Sequence, residues 1–429
     1  MSREKLTEGW KIILRNQFHD IIPGSSIGEV YEDSRTEYTR AYKIAEEIKQ
    51  DALAFFIEEK QNAYTIMNNA NWNRTEWVAI DWKEEGIWHD RQGMEFVCQK
   101  KEKQWLIEVP EVPAMGFKTI YFQPFSDTPK TEKFFEKDEF FSMNLPLIET
   151  PFYTILLNDR GQFLSIFDKE EEREILEEGK AGNVFQVFED KPLAHDAWDI
   201  DIFYQQKMRE ITELESMEVI SQGPIQAVIR MKWKYMNSRM EQEIVFYRKD
   251  RRIDFKTYVD WHEHHQLLKV AFPVDIRATY GTYDVQYGNV QRPTHWNTSW
   301  DWVEGKTVQK AWALNQPLTG IKGALKIGKE YSFIQVSSPY VLIDAIKPWE
   351  EREGFILRLH EYAGTRQKVT MTTSFEVGKW QECDLMEKPI GEIQQTKEIQ
   401  FEMKPYEIKT FFICIEKEGK NEKSTYYFA

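Results

Sequence analysis

A histidine and an aspartate stand side by side in NQFHDIIPGSS, residues 16–26. An imidazole nitrogen can hold a metal ion or carry a proton near neutral pH, and a neighbouring carboxylate can bind metal or accept hydrogen bonds. Plainer readings stand beside this one. At the end of a helix His19 can answer the macrodipole as a cation, and Asp20 can cap or pair locally. A metal-phosphohydrolase pair needs further histidines and aspartates on neighbouring helices, and none falls at helical spacing between Glu29 and Lys60.

Other clusters invite the same weighing. HDAWDID, residues 195–201, crowds His195, Asp196, Trp198, Asp199 and Asp201 into one loop. Such a loop can hydrogen-bond hydroxyls while an indole stacks on a sugar ring, and a solvated turn on a sandwich edge is its plainer account. WHEHHQLLK sets His262 and His264 two apart, hence on one face of a strand, where a strand edge with local histidines is the stronger account than a metal pair. Arg292 and His295 either line a pocket or belong to a Pro-Thr turn anchored by tryptophans. Lys347, Glu350 and Arg358 read as an ion-pairing group that orients the last sandwich.

The elements that must position these residues follow from periodicity. Trp10, Ile13, Leu14 and Phe18 predict a helix from Lys5 to Asp20, stopped by Pro23-Gly24. Ser26 and Glu29 form an S-x-x-E capping-box pattern, and Val30, Tyr31, Tyr38, Ala41, Ile44, Ala45, Ile48, Phe55 and Phe56 carry a second helix toward Lys60. Two helices cannot bury both apolar faces alone, so a third partner is expected, from elsewhere in the fold or from a segment before Met1. From Ala63 onward, alternating runs such as EWVAID, QWLIEV and KTIYFQPF predict antiparallel strands. The expected division is a helical segment 1–61, a small β domain 62–137 ending in a lysine- and acid-rich linker at 126–137, a large β region 138–339 and a last sandwich 340–429.

Composition narrows the partners. With 56 basic against 71 acidic residues, the net charge of −15 excludes a nucleic-acid backbone as partner. No apolar run is long enough to span a bilayer and no leader is evident, so no membrane partner and a cytoplasmic location are expected. Cys98, Cys383 and Cys414 are odd in number and far apart, which argues for reduced, structural thiols. Fifteen tryptophans exceed ordinary core filling and lean slightly toward carbohydrate, although tryptophan-rich sandwich cores look the same.

WKIILRNQFHDIIPGSSIGEVYEDS strongly resembles the middle helical segment of the glycoside hydrolase family 38 α-mannosidases. TIMNNANWNRTEWVAI, VPAMGFKTIYF, FEDKPLAHDAWDID, VDWHEHHQLLKVAFPVD, YGNVQRPTHWNTSWDW, IKPWEEREGFILRLHEYAG and KPYEIKTFF resemble further blocks of that family in order, so the likeness covers nearly the whole chain. The resemblance implies a mainly β fold: a partial α-helical bundle followed by β-sandwich domains, the largest a galactose-mutarotase-like supersandwich. It also implies retaining α-mannosidase chemistry dependent on zinc or another divalent ion, in which one carboxylate attacks the anomeric carbon and a second protonates the leaving oxygen.

By motif match, His19 resembles a zinc ligand of the family and Asp20 a neighbour that accepts hydrogen bonds from sugar hydroxyls. Asp196, Trp198 and Asp199 match a block expected to wall the substrate cleft. The family's remaining zinc ligands, nucleophile and acid/base lie on an α/β catalytic domain that precedes this helix, and the chain is expected to lack it. The isolated chain is therefore expected to be inactive, with no catalytic residue of its own and no tightly bound metal. The expected partners are that missing domain and α-mannoside glycans, with self-association left open. The alternatives are a noncatalytic carbohydrate-binding or assembly module and half of a split enzyme. One departure stands out: residues 302–329 keep only Trp312 and a few neighbours of the family pattern.

Overall fold

The computed structural model describes residues 3–101, 104–125, 140–196, 198–295, 297–298, 318–350 and 353–415. The expected linker at 126–137 and most of the departure at 302–329, Trp312 included, lie outside the described residues. The fold is mainly β, with two α-helices among the described residues: α1 (Arg3–Asn16) and α2 (Gly28–Phe56). Neither is long and apolar enough to cross a membrane.

The helices form an antiparallel hairpin, because partners along them run in opposite order. Lys5 meets Glu47, Arg40 meets Glu8 and Arg15 meets Glu37. The one buried residue of α2 is Ala41, and those of α1 are Gly9, Ile12 and Asn16. Trp10 and Leu14, four apart on α1, form a row that remains exposed, and Phe18 and Ile22 in the turns beyond the helix are exposed as well. The third partner expected from the sequence does not cover this row among the described residues.

Past α2 the chain builds a small β domain. Strands Ala63–Asn68, Gly116–Pro124 and Gly86–His89 form one sheet, and Arg74–Asp81, Gln104–Val112 and Cys98–Lys101 form the other. Alternate residues face inward, so Ile66, Val78, Ile80, Trp88, Ile107, Ile120 and Phe122 make the core. Strands Thr319–Lys322 and Tyr331–Ser332 complete the first sheet, and Ala324–Leu325 pairs with Ile57–Glu58. Residues 319–332, placed by sequence within the 138–339 region, thus return to the small domain; long-range pairing of this kind leaves no periodic mark in the chain.

The large sandwich centres on strand Gln226–Tyr235, which is buried on both faces. Ala227, Ile229, Met231 and Trp233 point into the main core with Ile155, Phe163 and Phe246, whereas Val228 packs with Val245 and Tyr247 toward Trp77 of the small domain. There Trp77 and Tyr247 stack 6.1 Å apart. Gln99 crosses the same junction. Its oxygen accepts from Ile225 N and Gln226 N at 3.0 and 2.9 Å, and its amide nitrogen donates to Gln226 O and Ser221 Oγ at 2.8 and 3.1 Å.

The last sandwich packs strands Val341–Pro348, Phe355–Glu361, Val377–Cys383 and Ile408–Ile415 against Ile334–Val336, Gln367–Thr373 and Ile399–Met403. Its core already includes Ile334 and Val336. The sequence-derived ion group divides: Lys347 and Arg358 share Glu387, at 2.8 and 3.7 Å, while Glu350 pairs with Arg3 of α1 at 3.2 Å. At one end of this sandwich Glu361 is fully buried. It accepts from Ala363 N, Gly364 N, Tyr406 N and Thr365 Oγ1 at 2.8–3.0 Å. Burial alone would raise its pKa, but the hydrogen bonds from Tyr406, Thr365 and Ala363 outweigh it and hold the carboxyl below its ordinary value.

A folded-state pKa below the unfolded one stabilises the fold above the unfolded value, and that gain is lost as pH falls through the folded value. Glu361→Gln should therefore lower the thermal midpoint at neutral pH. Its deficit against the unsubstituted chain should shrink as pH is taken below the ordinary glutamate range. A deficit that stays constant across a melting series from neutral to acid would contradict this role for the carboxylate.

Candidate functional site

The sequence-predicted pair lies beyond α1 and not in its last turn. Helix α1 ends at Asn16, where the side-chain amide folds back onto Ile12 O at 3.0 Å and reaches Glu37 of α2 at 2.7 Å. Asn16 thus exchanges helix continuation for a cross-link, and His19 and Asp20 fall in the tight turns that connect the two helices. Ile21 N and Ile22 N both donate to Phe18 O, and Gly24 closes the segment at φ +86°, a conformation in which a Cβ is strained.

Three hydroxyls converge on the backbone carbonyl of Asp20. Ser26 Oγ donates at 2.7 Å, Tyr31 OH at 3.3 Å and Ser25 Oγ at 3.4 Å, while Ser26 N donates to Tyr31 OH at 2.9 Å. The capping box expected of Ser26 and Glu29 does not form: Ile27 is the N-cap of α2 without a side-chain cap bond, because the Ser26 hydroxyl is engaged by Asp20. Sequence reading gave Ser25, Ser26 and Tyr31 no part in the site, although their hydroxyls beside the His-Asp pair were the available signal.

Pinned in this way, the turn presents side chains outward. His19 and Asp20 side chains are 73% and 43% exposed, and His19 Nε2 lies 3.6 Å from Asp20 Oδ2. The His19 ring rests against Phe18 with centroids 4.2 Å apart. A neutral imidazole so held can offer one nitrogen to a metal, and the carboxylate can accept hydroxyl hydrogens. Catalytic zinc takes three protein ligands and leaves one open position. Among the described residues no group of three or more histidine, cysteine, aspartate or glutamate side chains could hold a metal ion. His19 and Asp20 by themselves therefore do not fit a zinc ion.

The second sequence-predicted cluster follows strand Val184–Glu189 of the large sandwich. His195, at φ +55°, lets Trp198 N and Asp199 N both donate to its carbonyl at 2.7 and 2.8 Å, which closes a compact loop. Trp198 is 57% exposed, so its face is available for stacking. Strand Gln266–Ala271 pairs with Val184–Glu189 and brings the 261–265 loop alongside. His265 Nδ1 then lies 3.7 Å from Asp196 Oδ2, and His265 O accepts from Asp190 N at 2.8 Å. Burial and the charges of Asp196 and Asp201 push the Asp190 carboxyl up, against a smaller opposing pull from His265.

The histidines singled out by sequence behave differently. His262 and His264 are in a loop and not on a strand, and His262 Nε2 pairs with Asp260 at 3.0 Å. The residue that meets the acidic loop is His265, which the two-residue spacing passed over. Arg292 lies 5.5 Å from the Tyr283 ring, in a two-stranded hairpin (Tyr280–Val285 with Gly288–Pro293).

Comparisons with known proteins match three stretches of the chain to three domains of one family. Residues 1–56 match the alpha mannosidase middle domain, residues 148–318 the glycosyl hydrolases family 38 C-terminal domain, and residues 340–411 that family's C-terminal beta sandwich domain. The chain is similar to alpha-mannosidase 2C1 of Homo sapiens, 25% identical over 89% of this chain and 42% of the relative. It is also similar to alpha-mannosidase G of Dictyostelium discoideum, 28% identical over 72% of this chain and 31% of the relative. The chain thus spans less than half the length of these relatives. In fold it resembles the crystal structure of an alpha-mannosidase from Enterococcus faecalis, with a TM-score of 0.72 at 12% identity, over 95% of this chain and 63% of that one.

The convergence on Asp20 makes an expectation for the turn. Ser26→Ala should cost about 1 kcal/mol, the net worth of one hydrogen bond, and Ser26→Ala with Tyr31→Phe more. Amide hydrogen exchange at residues 17–26 should speed up in both, while the α2 interior should stay protected. Equal exchange in the double variant would show that the hydroxyls do not hold the turn.

Proposed function

The chain belongs to glycosyl hydrolase family 38, whose middle and carboxyl-terminal domains it carries in order, and from that we propose that it is the carboxyl-terminal part of a zinc-dependent, retaining α-mannosidase. Its part in that activity is to supply one metal-ligand histidine, His19, and a carboxylate, Asp20, that accepts sugar hydroxyls. The observation that carries this reading is the pinned turn: three hydroxyls fix the Asp20 backbone while both side chains stand free of it. The pinned backbone fixes where the two side chains start, and locking their rotamers, which a preorganised site also requires, is left to the part that packs over them.

The 195–201 loop supplies a wall of the substrate cleft in this reading. Exposed Trp198 offers a face to the apolar side of a pyranose, and Asp196 and Asp199 offer acceptors to its hydroxyls. In this reading the carboxylates that attack the anomeric carbon and protonate the leaving oxygen come from a part outside this chain, which spans 42% of the human relative. The exposed apolar side chains of Trp10 and Leu14 on α1 and of Phe18 and Ile22 just beyond it agree with a further body packing there. On this account the isolated chain turns over no mannoside, and its partners are that catalytic part and α-mannoside glycans. Three unbridged cysteines agree with a reducing, cytoplasmic setting.

A noncatalytic carbohydrate-binding module is the competing reading, favoured by the exposure of Trp198. Tryptophan-fluorescence titration of the purified chain with an α-linked mannobiose separates the two. The mannosidase-part reading expects no saturable binding below about millimolar concentrations, because a single wall buries too little of the sugar. Saturable binding that survives a chelator and is lost in Trp198→Ala would overturn it in favour of the binding module.

A further inference from the structure

A second polar concavity lies at the opposite end of α2 from His19, and its walls come from four separate stretches of chain. Strand Ile57–Glu58, continuing from α2, pairs with Ala324–Leu325, and His89 stands opposite Tyr121 where Gly86–His89 pairs with Gly116–Pro124. Between them is a pocket of about 450 Å³ lined by Glu58, Lys60, His89, Arg91, Tyr121 and Lys326. That volume is in the range of small-metabolite sites.

Its charge runs against that of the chain. Lys60, Arg91 and Lys326 face a single lining carboxylate, Glu58, which leaves a local charge of +2 in a chain of −15. Among the described residues none of the three cations forms an ion pair, although lysines and arginines elsewhere repeatedly do. Lys326 Nζ spends one donor on Ala54 O at 2.7 Å, in the last turn of α2, where the helix has no basic residue of its own. Two of its N–H groups remain.

The floor is aromatic and ordered. Lys60 Nζ sits 5.0 Å from the Tyr121 ring centroid, and the His89 ring stacks on the same tyrosine at 5.9 Å and 25°. His89 Nδ1 lies 2.6 Å from Asp90 O, an acceptor without hydrogen, so Nδ1 carries the proton. Gly328, at φ +64°, also lines the pocket, next to Arg91: a Cβ there would make an ordinary 3.6 Å contact with Arg91 Nη1. Three cations held around one hollow repel one another, and an anion with several acceptor oxygens relieves that repulsion while engaging many donors at once.

We propose that the pocket formed by Lys60, Arg91 and Lys326 over Tyr121 binds a phosphoryl group, either free or carried by a small phosphorylated sugar. Arginine suits a phosphoryl oxygen pair by its planar fork, and the lysines serve as point charges. The volume beyond the phosphoryl group accommodates a single hexose against the Tyr121 and His89 side. This inference stands apart from the mannosidase reading, since it needs neither metal nor turnover.

The test is isothermal titration calorimetry of the full chain in low-salt buffer free of phosphate and sulfate. Inorganic phosphate, mannose 6-phosphate and unphosphorylated mannose are the probes. Saturable binding of either phosphate probe, with none of mannose, supports the proposal; tighter binding of the sugar phosphate identifies a phosphosugar, and equal binding identifies the phosphoryl group alone. Arg91→Ala and Lys60→Ala, both exposed changes, should each weaken binding about tenfold, and Arg91→Lys less, with unchanged thermal unfolding as the check on folding. Raising salt should weaken binding as well. Absence of saturable heat with both phosphate probes, or affinity unchanged in both alanine variants, overturns it.

Discussion

The amide of Gln99 joins two of the three β bodies, and the position of everything else relative to the large sandwich depends on it. Buried at the junction, it gives two hydrogen bonds and receives two, three of them shared with the backbone of Ile225 and Gln226. A glutamine placed in this way substitutes for a missing strand neighbour. Removing it would leave buried backbone groups unpaired, at about 1–3 kcal/mol for each. Stacked Trp77 and Tyr247 and the contact between Arg252 and Glu76 reinforce the same face.

From that joint the small domain acts as the hub. It holds α2 through the Phe56 ring, stacked on Phe117 at 5.9 Å, and through Phe56 O, which accepts from Lys326 N at 2.9 Å. It holds the last sandwich through Asn71, whose side chain donates to Val341 O at 2.9 Å. Helix α2 has 29 residues, so at 1.5 Å of rise each it carries the His19 turn roughly 40 Å from this anchorage. The His-Asp pair thus stands on a long lever that is fixed at one end by β structure and tied along its length to α1 by ion pairs.

Much of this was legible in the sequence, and the parts that were not share a cause. Apolar spacing revealed both helices and the alternating strands, because those signals are local. The end of α1 was misread by four residues: the helix stops at Asn16, whose side chain cross-links to Glu37, a partner that only the folded hairpin provides. Ser26 carried a sound capping pattern, yet its hydroxyl is taken by Asp20 O. Strands 319–332 fill gaps in a sheet begun 250 residues earlier, and His265, not His262 or His264, meets Asp196 because strand pairing sets which loop residue faces the acidic turn. Apart from Ser26, whose competing acceptor is only six residues away, a long-range partner outcompeted a local rule.

The likeness to family 38 ties these features to a single account, in which a helical lever presents one ligand and the sandwiches wall a cleft that another part of the enzyme completes. Hydrolysis of an aryl α-mannoside by the purified chain, with excess zinc and with a chelated control, tests that account most directly. The account predicts equal, background rates in both. Metal-dependent turnover would contradict it, and would require zinc ligands from this chain beyond His19, with His195, His262, His264 and His295 the first to examine.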